Sequence, residues 1–253
     1  MASNEAKSSG GIKANTTQIP PKRTKKASPL ANGYLLLYNS TSLALWGTLT
    51  ARLCLLLFPL ALGSSDTRLS SIYDTLFPLV RTTQSLALLE ILHSLFGLVR
   101  ASVVTTAMQV ASRIVVVWGV MHLFPQTVGA EDGILGGGGE AKLGDWGFIG
   151  CLTAWGVTEC IRYGFFTLQL SGLEAPKWLL WLRYNTFFVL YPLGISSECL
   201  LMYLAISPAP LIHFALPWAF MAILAIYVPG SYVLYTHMMA QRRKVMKTAK
   251  RVD

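Results

Sequence analysis

The chain has 253 residues, of which 53% are hydrophobic and only 13% charged. That is too apolar and too poor in charge for an ordinary water-soluble domain. The net charge of +9 raises nucleic acid as a partner. However, twelve of the 21 Lys and Arg residues lie before Tyr34 or after Gln241, flanking an apolar middle. This distribution argues against nucleic acid and for an all-α, polytopic membrane protein with basic ends.

In chain order, residues 1–32 are polar and carry six Lys and Arg. They cannot bury a core and read as a disordered, basic, cytosolic tail. No apolar stretch precedes Tyr34, so a cleavable leader is not expected and the first span serves as the insertion signal. That span runs from about Tyr34 to Leu62 and is interrupted by Arg52. A second, less apolar run from Phe77 to Val99 holds Gln84, Glu90 and His93; a third, from Ala101 to Phe124, holds Gln109 and Arg113. Polar groups on such spans face the bundle interior, where pairing between helices is their commonest use. The stretch from Phe124 to Asp145 contains four consecutive glycines and several acids. It lacks the Lys-Ser/Thr of a phosphate-binding loop, so it reads as a flexible linker. A fourth span follows from Trp146 to Leu170, with Glu159 and Arg162 spaced to pair.

The fifth span, from Lys177 to Ala205, organises the rest. It carries a carboxyl, Glu198, deep in apolar sequence, which in a bilayer is costly and marks a functional site. Tyr184, Tyr191 and Glu198 are seven residues apart and fall near one stripe of a continuous helix, with Pro192 and Gly194 between the last two. Seven residues of helix rise about 10 Å, so a kink, the length of Tyr or a bridging water must narrow the gap if the two act together. A sixth span runs from Leu211 to His237, followed by a second basic tail, 241–253. Two basic ends on one side of a membrane require an even number of spans, and six fit, enclosing a catalytic domain over 33–240.

The motif LRYNTFFVLYPLGISSE resembles the signature of the very-long-chain 3-hydroxyacyl-CoA dehydratases of the endoplasmic reticulum, once called protein-tyrosine-phosphatase-like (PTPLA) proteins. QSLALLEILHSLFGLVR, MQVASR, TECIRYGFF and YVPGSYVLYTHMMAQRRKVM are similar to further elements of that family, so the resemblance covers roughly Gly33 to Lys247. It implies that Tyr191 and Glu198 are the catalytic pair. It further implies a long-chain (3R)-3-hydroxyacyl-CoA substrate, a trans-2-enoyl-CoA product and membrane lipid around the chain. Elongase and reductase partners in the fatty acid elongation cycle, and a supply of acyl chains for sphingolipids, follow from the same resemblance.

The residues themselves exclude other chemistries. The four His are scattered, with no HxxHH box; no Cys is followed six positions later by Arg, so the tyrosine-phosphatase loop is absent. No GxGxxG and no ligand spacing for zinc occur, so no cofactor or metal is expected, and the four Cys read as small buried hydrophobes. What remains suits elimination of water, which needs a base at C2, an acid at the C3 hydroxyl and donors for the enolate oxygen. A desolvated carboxyl serves either acid or base duty, and a phenol can donate. Glu198 is favoured as base and Tyr191 as donor, though the roles can be exchanged. A small-solute transporter should show internal repeats, and none is convincing; a non-catalytic scaffold would tolerate loss of Glu198.

Overall fold

The computed structural model describes residues 28–62, 69–128 and 143–249. The Gly-rich run read above as a linker, residues 1–27 of the first basic tail and residues 250–253 of the second lie outside the described residues. The described chain is helical: α1 (Pro29–Ala61), α2 (Ser70–Leu86), α3 (Leu88–Leu95), α4 (Val103–Ile114), a π-helical segment (Val115–His122), α5 (Pro125–Val128), α6 (Leu143–Leu170), α7 (Lys177–Asn185), α8 (Phe187–Ile206), a short 3₁₀ turn (Ala209–Leu211) and α9 (Leu216–Ala249).

Four helical stretches are long and apolar enough to cross a membrane: Pro29–Pro59, Val103–His122, Phe187–Ile206 and Leu216–Arg243. The two other stretches read as spans are helical but differ in kind. The second is divided at Ala87, whose N–H bonds back three residues to the Gln84 carbonyl at 3.1 Å. The fourth, α6, is 28 residues long and keeps Asp145 and Glu159 buried. The organising helix is also divided. Thr186 separates α7 from α8 although its backbone stays helical (φ −65°, ψ −23°). Tyr184 therefore lies on α7 and Tyr191 and Glu198 on α8, with helical bonds from Thr186 N–H to Leu182 and from Leu190 N–H to Thr186 carrying the backbone across the junction.

The centre of the molecule is α6, which packs against α1 on one side and α8 on the other; α9 closes over α8. Small residues allow this proximity. A Cβ added at Gly147 would stand 2.8 Å from Leu201 Cδ2 of α8, and one at Gly150 would strike the Ser197 hydroxyl. One at Gly156 would strike the Thr50 hydroxyl of α1. Backbones approach where no side chain intervenes, as in membrane bundles generally. The core so enclosed contains Trp46 and Leu49 of α1, Leu76 and Val80 of α2, Trp155 of α6 and Leu201 of α8. The outward face is apolar too, with Leu37, Phe58, Val189, Val228 and Val233 exposed. A soluble protein would not present such a surface continuously; hydrocarbon would cover it at no cost.

Gly172 ends α6 in the left-handed region (φ 76°), where Leu173 N–H reaches back to the Leu168 carbonyl at 3.0 Å. This sharp reversal brings α7 and then α8 back along α6, and so sets Glu198 opposite Trp155.

Candidate active site

Glu198 is 7% exposed, on the face of α8 turned toward α6 and α9. Its two oxygens have separate donors. The indole Nε1–H of Trp155, from α6, donates to Oε1 at 2.8 Å. The Tyr227 hydroxyl, from α9, donates to Oε2 at 2.7 Å. Neither donor carries a charge, and Glu198 belongs to no ion pair among the described residues. The carboxyl is thus oriented by two fixed neutral dipoles, with no guanidinium bonded to it.

Glu159 and Glu90 differ sharply. Glu159, 3% exposed, is paired to both Arg113 and Arg162, the latter through Nε at 2.6 Å. Arg162 also grips Glu90 with two parallel bonds of 2.8 Å each, the fork geometry in which guanidinium and carboxylate match best. The Tyr163 hydroxyl adds a bond of 2.5 Å to Glu90. The i,i+3 pairing of Glu159 with Arg162 is the one the spacing indicated; the partner of Glu90, 72 residues away, was not legible. Nearby, His93 bonds to the Tyr34 hydroxyl at 2.8 Å. The two regions meet at Trp155: one ring holds Glu198 through its N–H and carries the Arg113 guanidinium 5.4 Å from its centroid. Arg113 therefore touches the paired cluster and the unpaired carboxyl's support at once.

Tyr191 and Glu198 make no hydrogen bond to each other. The Tyr191 hydroxyl donates to the Ser231 carbonyl at 3.1 Å, and its ring lies 5.8 Å from that of Tyr235. Both candidate residues nevertheless meet the same helix. Their partners on α9, Tyr227 and Ser231, are four residues apart, one turn or about 6 Å along the axis. Tyr227 and Trp155 were missed in the sequence because an aromatic residue in an apolar run carries no mark of the hydrogen bond it makes. Among the described residues no group of three or more His, Cys, Asp or Glu could hold a metal ion, and the four cysteines are free.

Comparison with known proteins bears on what this arrangement is for. The family model of the protein tyrosine phosphatase-like protein, PTPLA, matches residues 84–248. The chain belongs to the PTPLA family. The matched stretch contains every polar group of the two clusters except those of α1. Among curated relatives, PASTICCINO 2 of Arabidopsis thaliana, a very-long-chain (3R)-3-hydroxyacyl-CoA dehydratase, is 34% identical over 231 residues, covering 86% of this chain and 95% of the relative. The human very-long-chain (3R)-3-hydroxyacyl-CoA dehydratase 2 is 35% identical over 231 residues, 86% of this chain and 82% of the relative. A protein of Schizosaccharomyces pombe named as a probable very-long-chain (3R)-3-hydroxyacyl-CoA dehydratase is 39% identical over 149 residues, 59% of this chain. The chain spans just under two thirds, 64%, of that fission-yeast relative. No solved structure matches.

Proposed function

We propose that this PTPLA-family chain is a hydro-lyase that removes water from very-long-chain (3R)-3-hydroxyacyl-CoA to give trans-2-enoyl-CoA. The observation that carries the reading is the buried, ion-pair-free carboxyl of Glu198, set between two neutral donors in a chain whose relatives bear that activity in their names. Glu198 takes the proton from C2 and Tyr191 donates one to the departing C3 hydroxyl, so that water leaves and the C2–C3 double bond forms. Trp155 and Tyr227 keep the carboxylate aimed during the transfer. Preorganised dipoles in a water-poor site act at full strength because no solvent must reorient. The step leaves Glu198 protonated and Tyr191 as phenolate, so one proton must pass from Glu198 back to Tyr191 before the next turnover; no oxidation state changes, and the reading calls on no cofactor.

The same reading gives six membrane crossings, with α2–α3 and α6 completing the four long apolar helices, and both termini on the cytosolic side of the endoplasmic reticulum membrane. The acyl tail lies between helices in lipid-like surroundings. Elongase and reductases are the partners that supply the substrate and consume the product of fatty acid elongation.

The deciding test is turnover by the purified full-length protein on a long-chain 3-hydroxyacyl-CoA, with enoyl-CoA formation followed directly. Dehydration by wild type and its loss in well-folded Glu198→Gln supports the reading. Equal turnover in the two proteins removes Glu198 from the chemistry, and no turnover in either leaves a scaffold or a transporter.

A further inference from the structure

The arginines of this molecule are used in two ways. Arg113 and Arg162 spend their charge on Glu159 and Glu90. Arg183 and Arg242 do not. The Arg183 guanidinium lies over the rings of Phe165 and Phe166 of α6, 4.4 and 4.8 Å from their centroids. Arg242 lies over Phe188 of α8 at 5.2 Å, and its Nε–H is fixed by the Asn185 side-chain oxygen of α7 at 3.0 Å. Neither forms an ion pair among the described residues. Few acids lie near them in sequence: none occurs between Cys199 and Val252, and Glu174 is the one acid between Ser171 and Ser197. A guanidinium resting on a ring face is held in place while its remaining N–H edge stays open to an oxyanion.

Their position matters as much as their charge. Arg183 and Asn185 are two residues apart near the end of α7 and so point to opposite sides of it, Arg183 toward α6 and Asn185 toward Arg242 of α9. From Arg242 an unbroken run of rings leads to the candidate site: Phe188 packs on Tyr235 with centroids 6.4 Å apart, and Tyr235 on Tyr191 at 5.8 Å. Arg242 stands seven residues beyond Tyr235 on α9, about 10 Å further along the helix. A reacting thioester at Tyr191 would therefore have cations waiting at a distance along its carrier arm.

We propose that Arg183 and Arg242 form a phosphate-binding mouth that holds the phosphorylated head of the coenzyme A thioester while its acyl end reaches Tyr191 and Glu198. This rests on the dehydratase reading. Guanidinium fits the ligand chemistry because it meets phosphate oxygens through paired N–H bonds. Anionic lipid headgroups present the same phosphate chemistry, and the test separates the two sources.

Full-length protein in nanodiscs of neutral lipid is compared with Arg183→Gln and Arg242→Gln on two substrates: a 3-hydroxyacyl-CoA and the corresponding 3-hydroxyacyl-pantetheine, which lacks the phosphates. Each substitution should raise KM for the CoA thioester by about tenfold or more, the effect of one lost charge-assisted bond. It should leave kcat near wild type, and the penalty should vanish on the pantetheine thioester. Equilibrium binding of coenzyme A, measured without turnover, should weaken in parallel. Equal losses on both substrates would mean that the arginines only tie helix ends together, and would overturn the proposal. So would unchanged coenzyme A binding with weakened retention of phosphatidylserine in mixed-lipid nanodiscs, which would assign the cations to lipid. Wild-type protein that binds coenzyme A through these residues yet dehydrates nothing would sink the dehydratase reading and leave the mouth standing.

Discussion

At Glu198 each carboxylate oxygen has one neutral donor, so removing a donor should cost catalysis without emptying the core. Tyr227→Phe deletes one hydrogen bond to a group that, on the proposed mechanism, carries charge during the cycle, an interaction worth about 1.5–3 kcal/mol. We expect kcat to fall by about ten- to a hundredfold, with the thermal midpoint of the solubilised protein nearly unchanged. Full activity in this variant would show that the contact is incidental. Tyr191→Phe should lose about a hundred- to ten-thousandfold, as expected when a general acid is removed, whereas Tyr184→Phe, across the Thr186 break, should lose far less. A Tyr184→Phe loss as large as that of Tyr191→Phe would place Tyr184 in the chemistry as well. The acid in apolar sequence was visible without coordinates because charge there needs a reason. Its aromatic partners, 43 and 29 residues away, were not: hydrogen bonding by an indole or phenol leaves no mark in an apolar stretch.

Among the elements, α6 decides how closely α1 and α8 can approach. Gly150 is the sensitive point, because its missing side chain is filled by Ser197, the residue before Glu198; an added Cβ would sit 3.3 Å from Ser197 Cβ and collide with its hydroxyl. Gly150→Ala can be absorbed if Ser197 rotates, but Gly150→Val cannot. Overpacking of this kind costs about 1–3 kcal/mol, and it displaces the turn that carries Glu198. We therefore expect Gly150→Val to lower both thermal stability and kcat, measured on protein that has inserted. Native stability and turnover together would show that α8 is free to slide. The six apolar runs were readable as helices from length and composition alone. The interruptions at Ala87 and Thr186, and the π-helical turns after Arg113, were not. No Pro or Gly sits at the first two positions, and local backbone geometry there follows from packing against neighbours rather than from propensity.

For the molecule as a whole, the Lys and Arg in the two tails predict termini on one side of the membrane. A glycosylation reporter placed after Gly136 should be modified in microsomes, and reporters at either terminus should not; modification at a terminus would break the even count of spans. The charged lattice in the bundle carries a different consequence, one concerning the order of synthesis. Two glutamates and two arginines balance one another across three helices, but they do not emerge together. Glu90 and Arg113 leave the ribosome before Glu159 and Arg162, which lie 46 or more residues later than Arg113. The early helices must therefore wait, each with an unmatched charge, until α6 arrives. A nascent chain halted before Leu143 should be extracted from the membrane or degraded quickly, and one halted after α6 has cleared the ribosome should persist. Pulse-chase of the two lengths would measure the difference, and equal lifetimes would show that the early charges find other shelter. On this account α6 is the step at which the growing protein becomes a membrane resident.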